Sequence, residues 1–223
     1  MTRFEPTGGL FGQGPLHPKQ IRLLAFGGAL FILMSFVVPP LSQTIAFPYG
    51  YVAILAIYWI CYCIPAAILF AGKSPPVSAR LSGARWFVIA GALALPVLVF
   101  WAAGTGHAVS GHVEFVVLAI LVGAINGPLE EFAWRRPYRS NSFGSFGFEG
   151  VGLLMFTLWH VPLLYYAGVS YDFGAIGLLG GAFAMGFIWL KLTRVSGSVG
   201  WPAVSHALVN AAAFIPFFQS LQN

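Results

Sequence analysis

The chain has 223 residues, of which 58% are hydrophobic and 8% charged. A soluble domain carries about 25% charged residues, so this composition excludes water as the main solvent. The formal charge of +5 is spread over short segments between apolar runs, with no soluble basic module that would bind nucleic acid.

Residues 1–20 form a polar tail rich in glycine and proline. The tail lacks the apolar run of about 7–15 residues that a cleaved signal peptide needs, so the first span is expected to serve as an uncleaved insertion signal. Residues 21–223 read as one membrane-embedded helical domain. A crossing helix needs about 20 mostly apolar residues, and seven stretches qualify: 23–41, 51–71, 86–103, 113–134, 147–167, 173–190 and 199–218. The predicted fold is an all-α, polytopic transmembrane bundle of seven to eight spans, its kinked helices enclosing a cavity open to the cytoplasm. Prolines at Pro65, Pro96, Pro128, Pro162, Pro202 and Pro216 are the expected kinks, because each removes a backbone donor.

Every lysine and arginine falls in alternate inter-helix regions: Arg3, Lys19 and Arg22; Lys73, Arg80 and Arg85; Arg135, Arg136 and Arg139; Lys191 and Arg194. The intervening loops contain none, and one holds Asp172. The positive-inside rule then predicts a cytoplasmic N-terminus. Cys61 and Cys63, two apart on a helix, point to nearly opposite faces and cannot pair.

Chemistry is concentrated in the second half. Glu130 and Glu131 stand together near the end of the fourth stretch, and acids at membrane depth are functional candidates. Adjacent helical positions differ by about 100°, so only one of the two is expected to aim at any given partner. Arg135 lies four residues after Glu131, in the favourable acid-first order. Glu131 is therefore expected to be neutralised by Arg135, leaving Glu130 free. The fifth stretch carries Phe156 and His160, the seventh His206 and Asn210, each pair four apart and expected to share a helix face. Buried singly these groups are costly, so convergence on one wet cavity is the economical arrangement. Glutamate and histidine can activate water, and a second histidine with an amide can donate to an oxyanion. No Gly-x-Ser-x-Gly motif is present.

Glu130-Glu131-Phe132-Ala133-Trp134-Arg135 resembles the EExxxR motif of the CAAX-protease and bacteriocin-processing (CPBP) family of intramembrane glutamic endopeptidases. Phe156 to His160 is similar to their FxxxH, and His206 to Asn210 to their HxxxN, all in the family's order over about residues 113–215. The resemblance implies that Glu130 and His160 activate water, that His206 and Asn210 stabilise the oxyanion, and that Glu131 and Arg135 support them. It implies a peptide or lipidated protein as substrate and no cofactor. Trp134, Arg136 and Pro137 depart from the family's usual Phe-Arg-Gly and are expected to alter the cytosolic rim.

Other readings remain: an immunity factor or accessory subunit of a membrane protein complex, a proton or ion carrier, or a zinc enzyme using Glu130, His160 and His206. The expected location is the bilayer of a bacterial cell inner membrane.

Overall fold

A computed structural model describes residues 15–71, 79–81, 85–109, 111–143 and 146–220. Among the described residues, six helices are long and apolar enough to cross a membrane. These are α1 (Pro18–Thr44), α2 (Tyr49–Leu69), α4 (Val113–Ser140), α5 (Phe146–Leu158, extended to Tyr165 by a 3₁₀ turn), α6 (Gly174–Ser196) and α7 (Gly200–Gln219). The third apolar stretch forms a shorter helix, α3 (Trp86–Ala102). Its 17 residues span roughly 25 Å at 1.5 Å per residue, just short of a hydrocarbon core of about 30 Å.

The start of α1 lies a few residues earlier than the sequence implies. His17 caps it, its ring accepting from the Lys19 N–H while the Gln20 side chain accepts from the His17 N–H.

The basic helix ends gather at one end of the bundle. Gln20 Nε2 donates to Asn141 O at 2.9 Å, tying the start of α1 to the end of α4. Arg139 and Arg194 both reach the buried Glu149 at the start of α5, at 2.8 and 3.7 Å. Ser198 Oγ donates to Arg80 O at 2.7 Å. Arg3 and Lys73 lie outside the described residues. At the opposite end, Ala167 N–H donates to Ser42 Oγ at 3.1 Å and Thr105 Oγ1 donates to Ala212 O at 2.6 Å. Asp172 is exposed at this second end.

Prolines shape two helices in the same way. Trp59–Cys63 in α2 and Glu131–Arg135 in α4 are wound as π-helix, and each is followed one residue later by a proline, Pro65 and Pro137. A proline cannot donate to the carbonyl four residues back and its ring collides with it. Widening the preceding turn relieves both, with Ile64 and Arg136 donating instead to carbonyls five residues back, Trp59 O and Glu131 O. Cys61 is exposed and Cys63 buried, so the π winding keeps them apart as expected.

The tightest seam joins α4 and α7. A Cβ added at Gly123 would meet Ala211 N at 2.6 Å, and one at Gly127 would collide with Ala207 N. Gly123 and Gly127 are a small-xxx-small pair that lets two membrane helices approach backbone to backbone. That closeness presses the His206 turn of α7 against the Glu130 turn of α4.

Candidate active site

The seam places His206 between the two glutamates. Its Nε2 lies 3.2 Å from Glu130 Oε2 and its Nδ1 lies 3.0 Å from Glu131 Oε1. All three side chains are buried. The expectation that only one acid could face a given partner is therefore corrected. An imidazole offers nitrogens on two edges, and α4 changes to π winding at Glu131, so neighbouring carboxylates reach the same ring from both sides. Ionised carboxylates only accept, so a ring serving both carries a proton on each nitrogen. Trp189 of α6 stacks on that ring at 3.7 Å and anchors its own indole N–H on Ser205 Oγ at 3.1 Å.

Glu131 also lies 3.5 Å from Arg135 Nε, both side chains being almost wholly inaccessible. The Arg135 guanidinium rests 4.7 Å above the Phe156 ring. Glu131, Arg135 and Phe156 thus meet as one buried unit behind His206, and the Glu131–Arg135 contact is the one expected from their four-residue spacing. Trp134 and Pro137, expected at the rim, are instead buried. Trp134 donates to Tyr58 OH at 2.6 Å and packs 4.5 Å from the Tyr62 ring. Its large ring fills the space between the two π turns, so this departure from the family pattern belongs to the core.

Glu130 has a partner that the sequence reading missed. Asn126 Nδ2 donates to Glu130 Oε2 at 3.1 Å, and Asn126 Oδ1 accepts from Trp59 Nε1 at 2.7 Å. The relay from α2 through Asn126 and the His206 contact both fall on one carboxylate oxygen. Glu130 Oε1 is buried without a hydrogen-bond partner. The available signal was the four-residue offset of Asn126 from Glu130, the same offset that drew attention to the other pairs.

His160 does not sit within α5. The helix ends at Leu158, His160 lies in the turn beyond, and Val161–Tyr165 continues as 3₁₀ helix. Pro162 forces the break, having no N–H for the carbonyl four residues back. The four-residue contact survives: His160 Nδ1 lies 2.9 Å from Phe156 O. A carbonyl only accepts, so Nδ1 carries the proton and Nε2 is left as an acceptor. Asn210, one turn beyond His206 on α7, has its Nδ2 buried and without a partner.

Glu130, His160, His206 and Asn210 all line one cavity of about 250 Å³. Its other walls come from Tyr51 and Leu55 of α2, Asn126 of α4 and a stripe of α6. The four candidates from three segments are thus brought together, and Glu131 and Arg135 stand behind that cavity rather than in it.

The family model described as type II CAAX prenyl endopeptidase Rce1-like matches residues 112–212. That segment contains all three motifs and helices α4 to α6 with the first half of α7. No curated protein and no solved structure gives a significant match.

Proposed function

We propose, from the Rce1-like match over residues 112–212, that the chain is a CAAX-protease-type enzyme that hydrolyses a peptide bond within the membrane by a glutamate–histidine mechanism. The observation that carries this reading is the division of the Glu130 carboxylate. One oxygen is held by Asn126 and His206, while the other is unpartnered beside a cavity that His160 and Asn210 also line.

In this mechanism a water sits between Glu130 Oε1 and the accepting Nε2 of His160. Glu130 takes the water's proton as the oxygen attacks the substrate carbonyl. The resulting oxyanion accepts from Asn210 Nδ2. Protonation removes the negative charge that holds His206 Nε2–H, which frees that N–H for the same oxyanion. His206 keeps its orientation meanwhile through Glu131 and the Trp189 face. The proton on Glu130 then passes to the leaving amine, so the carboxylate is restored at the end of the cycle. No step requires a metal.

The test is cleavage by the purified protein in lipid, using peptides with and without a prenyl anchor. Glu130→Gln and His160→Ala should each reduce the rate by about 100- to 10,000-fold, the usual contribution of general acid–base groups. Both variants should keep the wild-type elution profile. Dialysis against a strong chelator should leave the rate unchanged; loss of activity restored by zinc would favour the metal mechanism. A folded protein that cleaves neither peptide would point to an accessory role.

A further inference from the structure

The cavity has a direction. Gly177, Gly181, Met185 and Trp189 recur every four residues along α6, with Leu178 and Ala182 beside them, and all six line it. This stripe begins at the Asp172 end of the bundle and finishes against the His206 ring. Its length, twelve residues from Gly177 to Trp189, is roughly 18 Å at 1.5 Å per residue. A Cβ added at Gly181, part-way along the stripe, would meet nothing within 4 Å, whereas one at Gly177, at its outer end, would strike the Asp172 carbonyl oxygen.

A second cavity of about 520 Å³ continues from this one. Tyr51, Gly177, Leu178, Ala213 and Phe214 line both. The second cavity is also bordered by Ala103, Ser170, Tyr171, Asp172 and Ser220, which belong to the end of the bundle away from the basic helix ends. Where the two cavities meet, the Tyr51 and Phe214 rings stand 6.2 Å apart in edge-to-face orientation.

Among the described residues, the basic end is filled. Trp134, Arg135, Tyr138 and Phe148 are each at most 1% exposed, and none of them lines either cavity. Tyr138 lies against both Trp134 and Phe148, closing the layer beneath the glutamates.

We propose that substrate reaches Glu130 from the Asp172 end, as an extended apolar peptide stretch laid along the Gly177–Trp189 stripe of α6. This deepens the hydrolase reading and reverses the side from which the sequence alone would have brought substrate. At about 3.3 Å per extended residue, the stripe accommodates roughly five residues. Between the Asn126, Glu130, His160, His206 and Asn210 cluster at the inner end and Ser170, Tyr171, Asp172 and Ser220 at the mouth, the walls are mostly apolar.

The route can be tested without turnover, which separates it from the hydrolase reading. In a background carrying Cys61→Ala and Cys63→Ala, single cysteines are placed at Leu178 and at Ala213. Reference cysteines are placed at the exposed Asp172 and Lys19, one at each end of the bundle. Sealed membrane vesicles of both orientations are treated with a charged, membrane-impermeant methanethiosulfonate. Leu178→Cys and Ala213→Cys should react in the vesicles where Asp172→Cys reacts, and be silent where only Lys19→Cys reacts. Labelling alongside Lys19→Cys, or labelling only after denaturation, would overturn the route. Two positions are probed so that a folding defect in one variant, checked by size-exclusion elution, leaves the other as the test. Adding Glu130→Gln should leave the labelling unchanged.

Discussion

The site has two unlike walls. Along the α4–α7 seam, backbone touches backbone at Gly123 and Gly127, and Asn126, Glu130 and Glu131 lock together around His206. Along α6, only 17% of the apolar window is buried, against 39% for α4 and 44% for α7, and Gly180 and Gly181 have open space where a side chain would stand. Glycine therefore does opposite work on the two sides, closing the seam and widening the passage. Reacting groups need a fixed frame, whereas a peptide must be able to enter and leave.

Substitutions on each wall should expose this difference. Glu131→Gln should have the largest effect on stability. It leaves the buried Arg135 without its counter-charge, a loss of about 3–5 kcal/mol for a broken buried pair, read as a lowered melting temperature in detergent. Glu130→Gln should cost less, because no buried guanidinium depends on it; the reverse order would break the division of labour. Asn210→Ala should leave melting nearly unchanged but slow cleavage by about 100- to 1,000-fold, as loss of an oxyanion donor does. Gly127→Ala forces a Cβ into the α7 backbone, and overpacking of this kind costs about 1–3 kcal/mol. Gly181→Ala should change stability by less than about 1 kcal/mol, in the favourable direction of helix propensity. If Gly127→Ala and Gly181→Ala melt alike, the contrast between the walls is false.

The helices were legible because burying an apolar span in lipid leaves a long uninterrupted signal. The motif residues were legible because polar groups are so few that each spacing stands out. What escaped depended on packing between distant segments. Nothing in the pattern around Trp59 announces a bond to Asn126, and nothing near Trp189 announces a stack on His206. Pro162 announced a break, but only the folded chain places His160 in the turn beyond α5 while keeping its contact with Phe156 O. The two acids sharing one imidazole escaped for a related reason, since the 100° step assumes regular winding and α4 turns to π winding at Glu131.

The order of the helices along the chain gives the His206 clamp a consequence for biogenesis. Glu130, Glu131, Arg135 and a doubly protonated His206 add up to no net charge, so the assembled cluster is tolerable to a bilayer as a neutral unit. Three of the four members arrive together on α4 and carry one excess negative charge. The fourth arrives on α7, the last helix described. At roughly 5–20 residues per second of synthesis, α4 waits several seconds with one negative charge uncompensated. On this count the arrival of the final helix is what makes the cluster electrically complete.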